Sequence, residues 1–294
     1  MTARPSALHP SAGTLSVRAL LTLTKPRISA LSVATAAVGY CLAPEHRSLA
    51  VAASTLLGTA LIVGSANTLN MYVERDTDAL MARTCRRPLP SGQLHPNDAL
   101  FFGLLQGVLG LGLLGLGANA LTGLLGALAL ALYVLVYTPL KRRSVHALLV
   151  GAVPGAMPPL LGWTASTNEL SGGGLALFGL LFIWQIPHFL ALSLCLREQY
   201  RAAGLKVLPN VAGLTLTRVT IVGTLILLWL ESLLPARFGL GGAVYVVGAV
   251  ALGGLLVGFG LVGLFRPEDA RWPRRLFAAT ILYLTLLLAL LVAG

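Results

Sequence analysis

Residues 99–136 contain no charged side chain. As a helix rising about 1.5 Å per residue, that stretch is nearly twice as long as a ~30 Å hydrocarbon core is thick. It therefore reads as two membrane spans joined at Gly117–Asn119. The whole chain repeats the pattern. Its 294 residues are 56% hydrophobic and 11% charged, with a mean hydropathy of +0.83. Soluble domains carry roughly 25% charged residues and have no means of hiding so much apolar surface. An ordinary soluble enzyme, a disordered chain and a secreted disulfide scaffold are excluded. Thirty-three glycines suit closely packed membrane helices.

Apolar runs near 28–44, 50–71, 98–117, 119–138, 145–164, 173–195, 214–234, 240–265 and 276–293 give nine expected spans. The net charge of +11 tests that count. With the N-terminus inside, 19 of the 21 Lys and Arg fall in cytoplasmic segments, and only Arg47 and Arg237 fall outside. The positive-inside rule thus predicts an N-in, C-out, all-α integral membrane protein, and the basic charge reads as topology, with no nucleic acid partner. Residues 1–24 read as a cytoplasmic tail that folds along the membrane surface, and 25–294 as one transmembrane domain. Cys41, Cys85 and Cys195 show no metal-binding spacing and read as small apolar filler.

Acids are scarce, ten in the chain, and Glu74, Asp76 and Asp78 fall together. If the second span continues as a helix, Asn70, Glu74 and Asp78 stand at i, i+4 and i+8 on one face, and Asp76 points away. Arg83 and Arg87 repeat the four-residue step. Such an oxygen-bearing stripe suits Mg²⁺, which is commonly held by one or two carboxylates plus substrate phosphates. Arginines beside it suit phosphate oxygens. A solvated helix end laced with ion pairs is the bland alternative.

Three further stretches toward the cytoplasmic side carry chemistry. Trp184-Gln185-Ile186-Pro187-His188-Phe189 lies in the sixth span, where Pro187 predicts a kink and a freed carbonyl. It leads to Arg197-Glu198-Gln199-Tyr200-Arg201, whose Glu198 is either a loop ion pair or a second metal ligand. Tyr137-Thr138-Pro139-Leu140-Lys141-Arg142-Arg143 reads either as a topology anchor or as a diphosphate clamp. Lys25-Pro26-Arg27 carries the same pair of readings. His188, with Gln185, sits mid-membrane, either as a packed histidine or with a role of its own. His46 and His95 read as loop residues.

The segment Asn70-x3-Glu74-x3-Asp78-x4-Arg83-Thr84-x2-Arg87-Pro88-Leu89-Pro90-Ser91-Gly92 resembles the first signature of the UbiA-type intramembrane prenyltransferases. Lys25-Pro26-Arg27, Tyr137–Arg142, Gly155–Trp163, Trp184–Phe189 and Tyr200-x3-Gly204-x3-Leu208-Pro209 are similar to its protoheme IX farnesyltransferase branch. The likeness runs from about Thr24 to the end. It implies a ring of nine transmembrane helices around a central, lipid-open cavity. It also implies a bacterial inner-membrane enzyme with its active site toward the cytoplasm. The implied reaction is Mg²⁺-dependent farnesyl transfer from farnesyl diphosphate to a vinyl group of heme b. That gives heme o, with handover to a heme A synthase on the way to terminal oxidases.

By this resemblance Asn70, Glu74, Asp78 and Glu198 are catalytic, and Glu74, Asp78 and Glu198 hold the metal. Lys25, Arg27, Arg83, Arg87, Lys141 and Arg142 bind diphosphate, and His188, Trp184 and Tyr200 bind heme. The chain departs from the branch at Gln199, where a second acid is usual, and at Ala147, in a region where an Asn is usual. A prenyltransferase acting on a quinone or other lipid, and more remotely a multi-pass transporter, are the alternatives.

Overall fold

The computed structural model describes residues 16–45 and 48–294. The expected positions of Arg4, His46 and Arg47 lie outside the described residues. The elements in order are α1 (Val17–Leu23), α2 (Pro26–Leu42), α3 (Leu49–Asp78), α4 (Pro96–Gly112), α5 (Ala120–Ala131), α6 (Thr138–Leu140) and α7 (Ala147–Thr167). There follow α8 (Gly172–Cys195), α9 (Arg197–Ala202), α10 (Leu208–Val211), α11 (Gly213–Glu231), α12 (Leu234–Arg237), α13 (Ala243–Phe265) and α14 (Trp272–Ala293). Wider π-helical turns, Leu113–Ala118 and Leu132–Tyr137, extend α4 and α5. Among the described residues there is no strand, as expected where every backbone polar group must be satisfied within its own segment. Eight helices are long and apolar enough to cross a membrane. The first expected span corresponds to α2, which has 17 residues.

Packing follows chain order, and the neighbours close on themselves. The path α2–α3–α4–α5–α7–α8–α11–α13–α14 returns from α14 to α2. Outward faces expose Leu57, Leu116, Leu135, Leu230 and Leu255, the pattern of a surface solvated by lipid. Cys41 and Cys195 also lie exposed, so they coat the surface and do not fill a core as expected.

The charge-free stretch breaks where expected. Asn119 is extended and N-caps α5, its Oδ1 accepting from the Thr122 amide at 2.9 Å. Its Nδ2 donates to the Thr164 carbonyl at 2.7 Å, which ties the turn to α7. The α8 helix continues through Pro187, which has no N–H to give the preceding turn. One expectation fails locally: α3 ends at Asp78, so Arg83 and Arg87 do not continue its helical step. They lie in a run of turns whose start is fixed by the Thr84 hydroxyl donating to the Asp78 carbonyl at 2.7 Å. His95, expected as a loop residue, N-caps α4 through Nδ1, which accepts from the Asn97 amide.

The tail segment 17–23 forms α1, which packs on α3 and α4 and buries Leu23 completely. The tightest crossing joins α2 to α7. A Cβ on Gly39 would fall on the Pro159 carbonyl, and one on Gly162 on the Ala36 carbonyl. Only glycine permits this approach. Gly39→Ala or Gly162→Ala should each cost about 1–3 kcal/mol, read as a lower unfolding midpoint in detergent. Gly258→Ala, with nothing within 4 Å, should leave it unchanged.

Candidate active site

The site begins with α3 staying helical past the apolar run. Asn70 and Asp78 are thereby buried and Glu74 half-buried on one face, while the Asp76 side chain is 85% exposed. Carboxylates drawn out of water need partners, and each finds one outside its own helix. Arg87 Nη1 donates to Asp78 Oδ2 at 2.7 Å. Lys141 Nζ lies 3.0 Å from Glu74 Oε1 and 3.2 Å from Oε2. The same ammonium sits 4.4 Å from the centre of the Tyr137 ring. Burial disfavours the Lys141 charge, but Tyr137 and Glu74 outweigh it and raise its pKa.

Asn70 has a defined orientation. The Thr138 hydroxyl donates its proton to the Tyr133 carbonyl at 2.8 Å and therefore accepts from Asn70 Nδ2 at 3.1 Å. Asn70 Oδ1 is left available beside the two carboxylates. Lys25 enters from the other side. It caps α2 at φ 48, a left-handed conformation that a lysine adopts only when its surroundings impose it. Burial first, then the Arg87 and Lys141 charges, push its ammonium down to about 7, with Glu74 and Asp78 opposing.

These groups line a cavity of about 360 Å³, together with Asn67, Arg83 and Tyr200. A second cavity of about 520 Å³ is mainly apolar, lined by Leu31, Ile62, Met157, Leu161, Leu284 and others, with Arg27, Gln185 and His188 among the polar exceptions. The two share Asn67, Arg83, Tyr133, Tyr137 and Phe189, so one opens on the other. Deep in the apolar chamber the His188 imidazole is stacked between Trp184, 4.6 Å away, and Phe277, 4.3 Å away.

The expected residues therefore divide. Asn70, Glu74, Asp78, Lys25, Arg83, Arg87, Lys141 and Tyr200 meet in the charged chamber. Arg27, His188 and Trp184 line the apolar one. Arg142 is exposed and lines neither. Glu198, on the short helix α9, is exposed and paired with Arg201 at 3.0 Å, also outside both. Its neighbour Gln199, the departure noted in the sequence, buries Oε1 without a partner. No cluster of three His, Cys, Asp or Glu occurs among the described residues, so a cation here rests on two carboxylates and amide or substrate oxygens. Asn67, Phe277 and Thr280 were not expected. None belongs to an acid or base pattern, and α14 carries no motif that draws attention to itself.

A charged chamber opening on an apolar one, inside a helical membrane bundle, suits an amphiphile with an anionic head. Residues 32–291 match the UbiA prenyltransferase family. The chain is 50% identical over 292 residues, 99% of its length and 96% of the relative's, to a protoheme IX farnesyltransferase of Anaeromyxobacter sp.. Its fold is similar to that of a digeranylgeranylglyceryl phosphate synthase, with a TM-score of 0.81 at 16% identity over 95% of this chain and 98% of that one. It is also similar to a UbiA homolog from Archaeoglobus fulgidus bound to DMAPP and Mg²⁺, at TM-score 0.62 and 16% identity over 92% and 99%. The chain belongs to the UbiA prenyltransferase family and is a transferase.

At pH 8 Lys25 is mostly neutral in the free site. An incoming anion raises its pKa, so binding should take up protons. Pyrophosphate titrated calorimetrically in two buffers of different ionisation enthalpy should show this uptake, and Lys25→Met should remove it. Identical uptake in both proteins would contradict the assignment.

Proposed function

We propose that the protein transfers a farnesyl group from farnesyl diphosphate to a vinyl group of protoheme IX, giving the hydroxyethylfarnesyl heme. The observation that carries this reading is the pair of joined chambers, one lined by cations and acids and one by apolar and aromatic groups. The names of the relatives supply the two substrates. Family membership removes the transporter alternative.

The donor set fits Mg²⁺: Glu74 and Asp78 with the Asn70 carbonyl oxygen, hard oxygens on one helix face. A fold relative holds Mg²⁺ with a prenyl diphosphate. Bound there, the ion would neutralise charge developing on the leaving diphosphate. Lys25, Arg83, Arg87 and Lys141 bind the same head and share that charge. Tyr133 and Tyr137 stand at the border of the two chambers, over the carbon that loses the diphosphate. The apolar walls keep water from the allylic cation until it has bonded to the vinyl carbon; the cation then left beside the macrocycle takes up one water and loses a proton, which supplies the hydroxyl. Arg27, on the lining of the apolar chamber, suits a propionate of the acceptor more than the diphosphate, and Trp184 and His188 face the macrocycle. Arg142 and Glu198 stand outside this set.

In this reading α2 is a ninth crossing, the N-terminus is inside, and the charged chamber opens to the bacterial cytoplasm. The product passes to the enzyme that oxidises heme o.

Asp78→Asn should abolish farnesyl transfer in membranes that still contain the protein, and Asp76→Asn should retain it within a few-fold. A fully active Asp78→Asn would overturn the site. Membranes given labelled farnesyl diphosphate with protoheme IX or with an aromatic acid should label the heme alone. Labelling of the acid alone would establish a quinone-type acceptor.

A further inference from the structure

The His188 ring is fixed on three sides by hydrogen bonding and stacking. Trp184 and Phe277 cover its two faces. Its Nδ1 lies 2.9 Å from Thr280 Oγ1. The Thr280 hydroxyl in turn lies 2.8 Å from the Phe277 carbonyl, to which it donates. A hydroxyl has one proton. With that proton on the Phe277 carbonyl, Thr280 accepts, and Nδ1 must carry the hydrogen. The opposite arrangement loses the bond to Phe277 and leaves an Nε2 hydrogen facing an apolar chamber with no acceptor. That is the costlier state, because an unsatisfied buried donor is penalised beyond the bond it lost. Nε2 therefore carries a bare lone pair. It makes no hydrogen bond among the described residues, and it is not among the polar atoms sealed away from any opening. His188 lines the apolar chamber.

Thr280 anchors the other ring as well. Its backbone carbonyl accepts from Trp184 Nε1 at 2.7 Å. One residue of α14 thus sets the orientation of two of the aromatic groups that α8 presents to the chamber.

We propose that Thr280 is a positioning residue that holds His188 in its Nδ1–H tautomer, so that Nε2 serves as an axial ligand to the iron of the protoheme acceptor. The proposal rests on protoheme being that acceptor. A neutral imidazole whose second nitrogen donates to an oxygen is the ordinary arrangement of a histidine that binds a metal. The stacked flanks hold the plane of the ring, and the bond to Thr280 holds Nδ1 inward, so Nε2 is the nitrogen turned outward.

The test uses the full chain in nanodiscs titrated with ferric protoheme IX. Wild type should give the absorption and electron paramagnetic resonance signature of a histidine-ligated heme. His188→Gly should lose that signature, and added imidazole should restore it. Thr280→Val keeps the shape of threonine but not the hydroxyl, and should weaken heme binding about ten-fold with a smaller ligated fraction. Thr280→Ser should keep the ligated spectrum. Affinity for a non-reactive farnesyl diphosphate analogue should be the same in wild type and Thr280→Val, which reports that the bundle is intact. A wild-type spectrum and affinity in Thr280→Val would overturn the positioning role. An unchanged spectrum in His188→Gly, with heme still farnesylated, would overturn the ligand role and leave the acceptor standing. If wild type neither binds nor farnesylates protoheme, the acceptor assignment itself falls.

Discussion

Charge inside a lipid-solvated bundle must be paired, and the end of this protein that carries Glu74 and Asp78 is organised by that requirement. The third helix carries two carboxylates inward. Neither is neutralised by a neighbour on its own helix. Arg87 comes back from the turns that follow, and Lys141 comes from the loop after α6, 67 residues away. A near segment and a distant one are thus bound to one face. Once bound, their remaining donors and acceptors point at a common space. Removing either cation would strand a buried carboxylate, so the same contacts that fold this end also define its chamber.

The apolar chamber is organised by different forces. No ion pair reaches it. Aromatic stacking and two hydrogen bonds to Thr280 set its polar floor, and close helix contact sets its walls. Glycines at the α2–α7 crossing bring backbones within contact of each other, which fixes the first helix against the chamber's side. The two chambers meet at Tyr133 and Tyr137, in a stretch where the helix widens.

Much of this was legible in the residues. Scarcity made the acids informative: with ten in the chain, Asn70, Glu74 and Asp78 at four-residue steps could be read as one helical face, and Asp76 as its outward exception. Lys25 and Lys141 were legible as bases beside prolines at span ends, though spacing did not separate Lys141, which turns inward, from Arg142, which does not. Glu198 shows the opposite case. Its helix is six residues long, and a short element on a loop has no register to predict which side chain faces in. Tyr200, two residues on, is the one that does. Thr280 and Phe277 were illegible because their roles come from contact with α8, ninety or so residues away. A threonine in an apolar helix usually satisfies itself on its own backbone, and Thr280 does that too.

The shared wall between the chambers has a consequence for regiochemistry. An amphiphile whose head fills the charged space and whose tail fills the apolar one has only one atom at the frontier, the carbon that joins them. On the proposed reading the diphosphate leaves from that carbon, and the frontier decides where in the protein it stands, so chains of different length would present the same carbon at the same place.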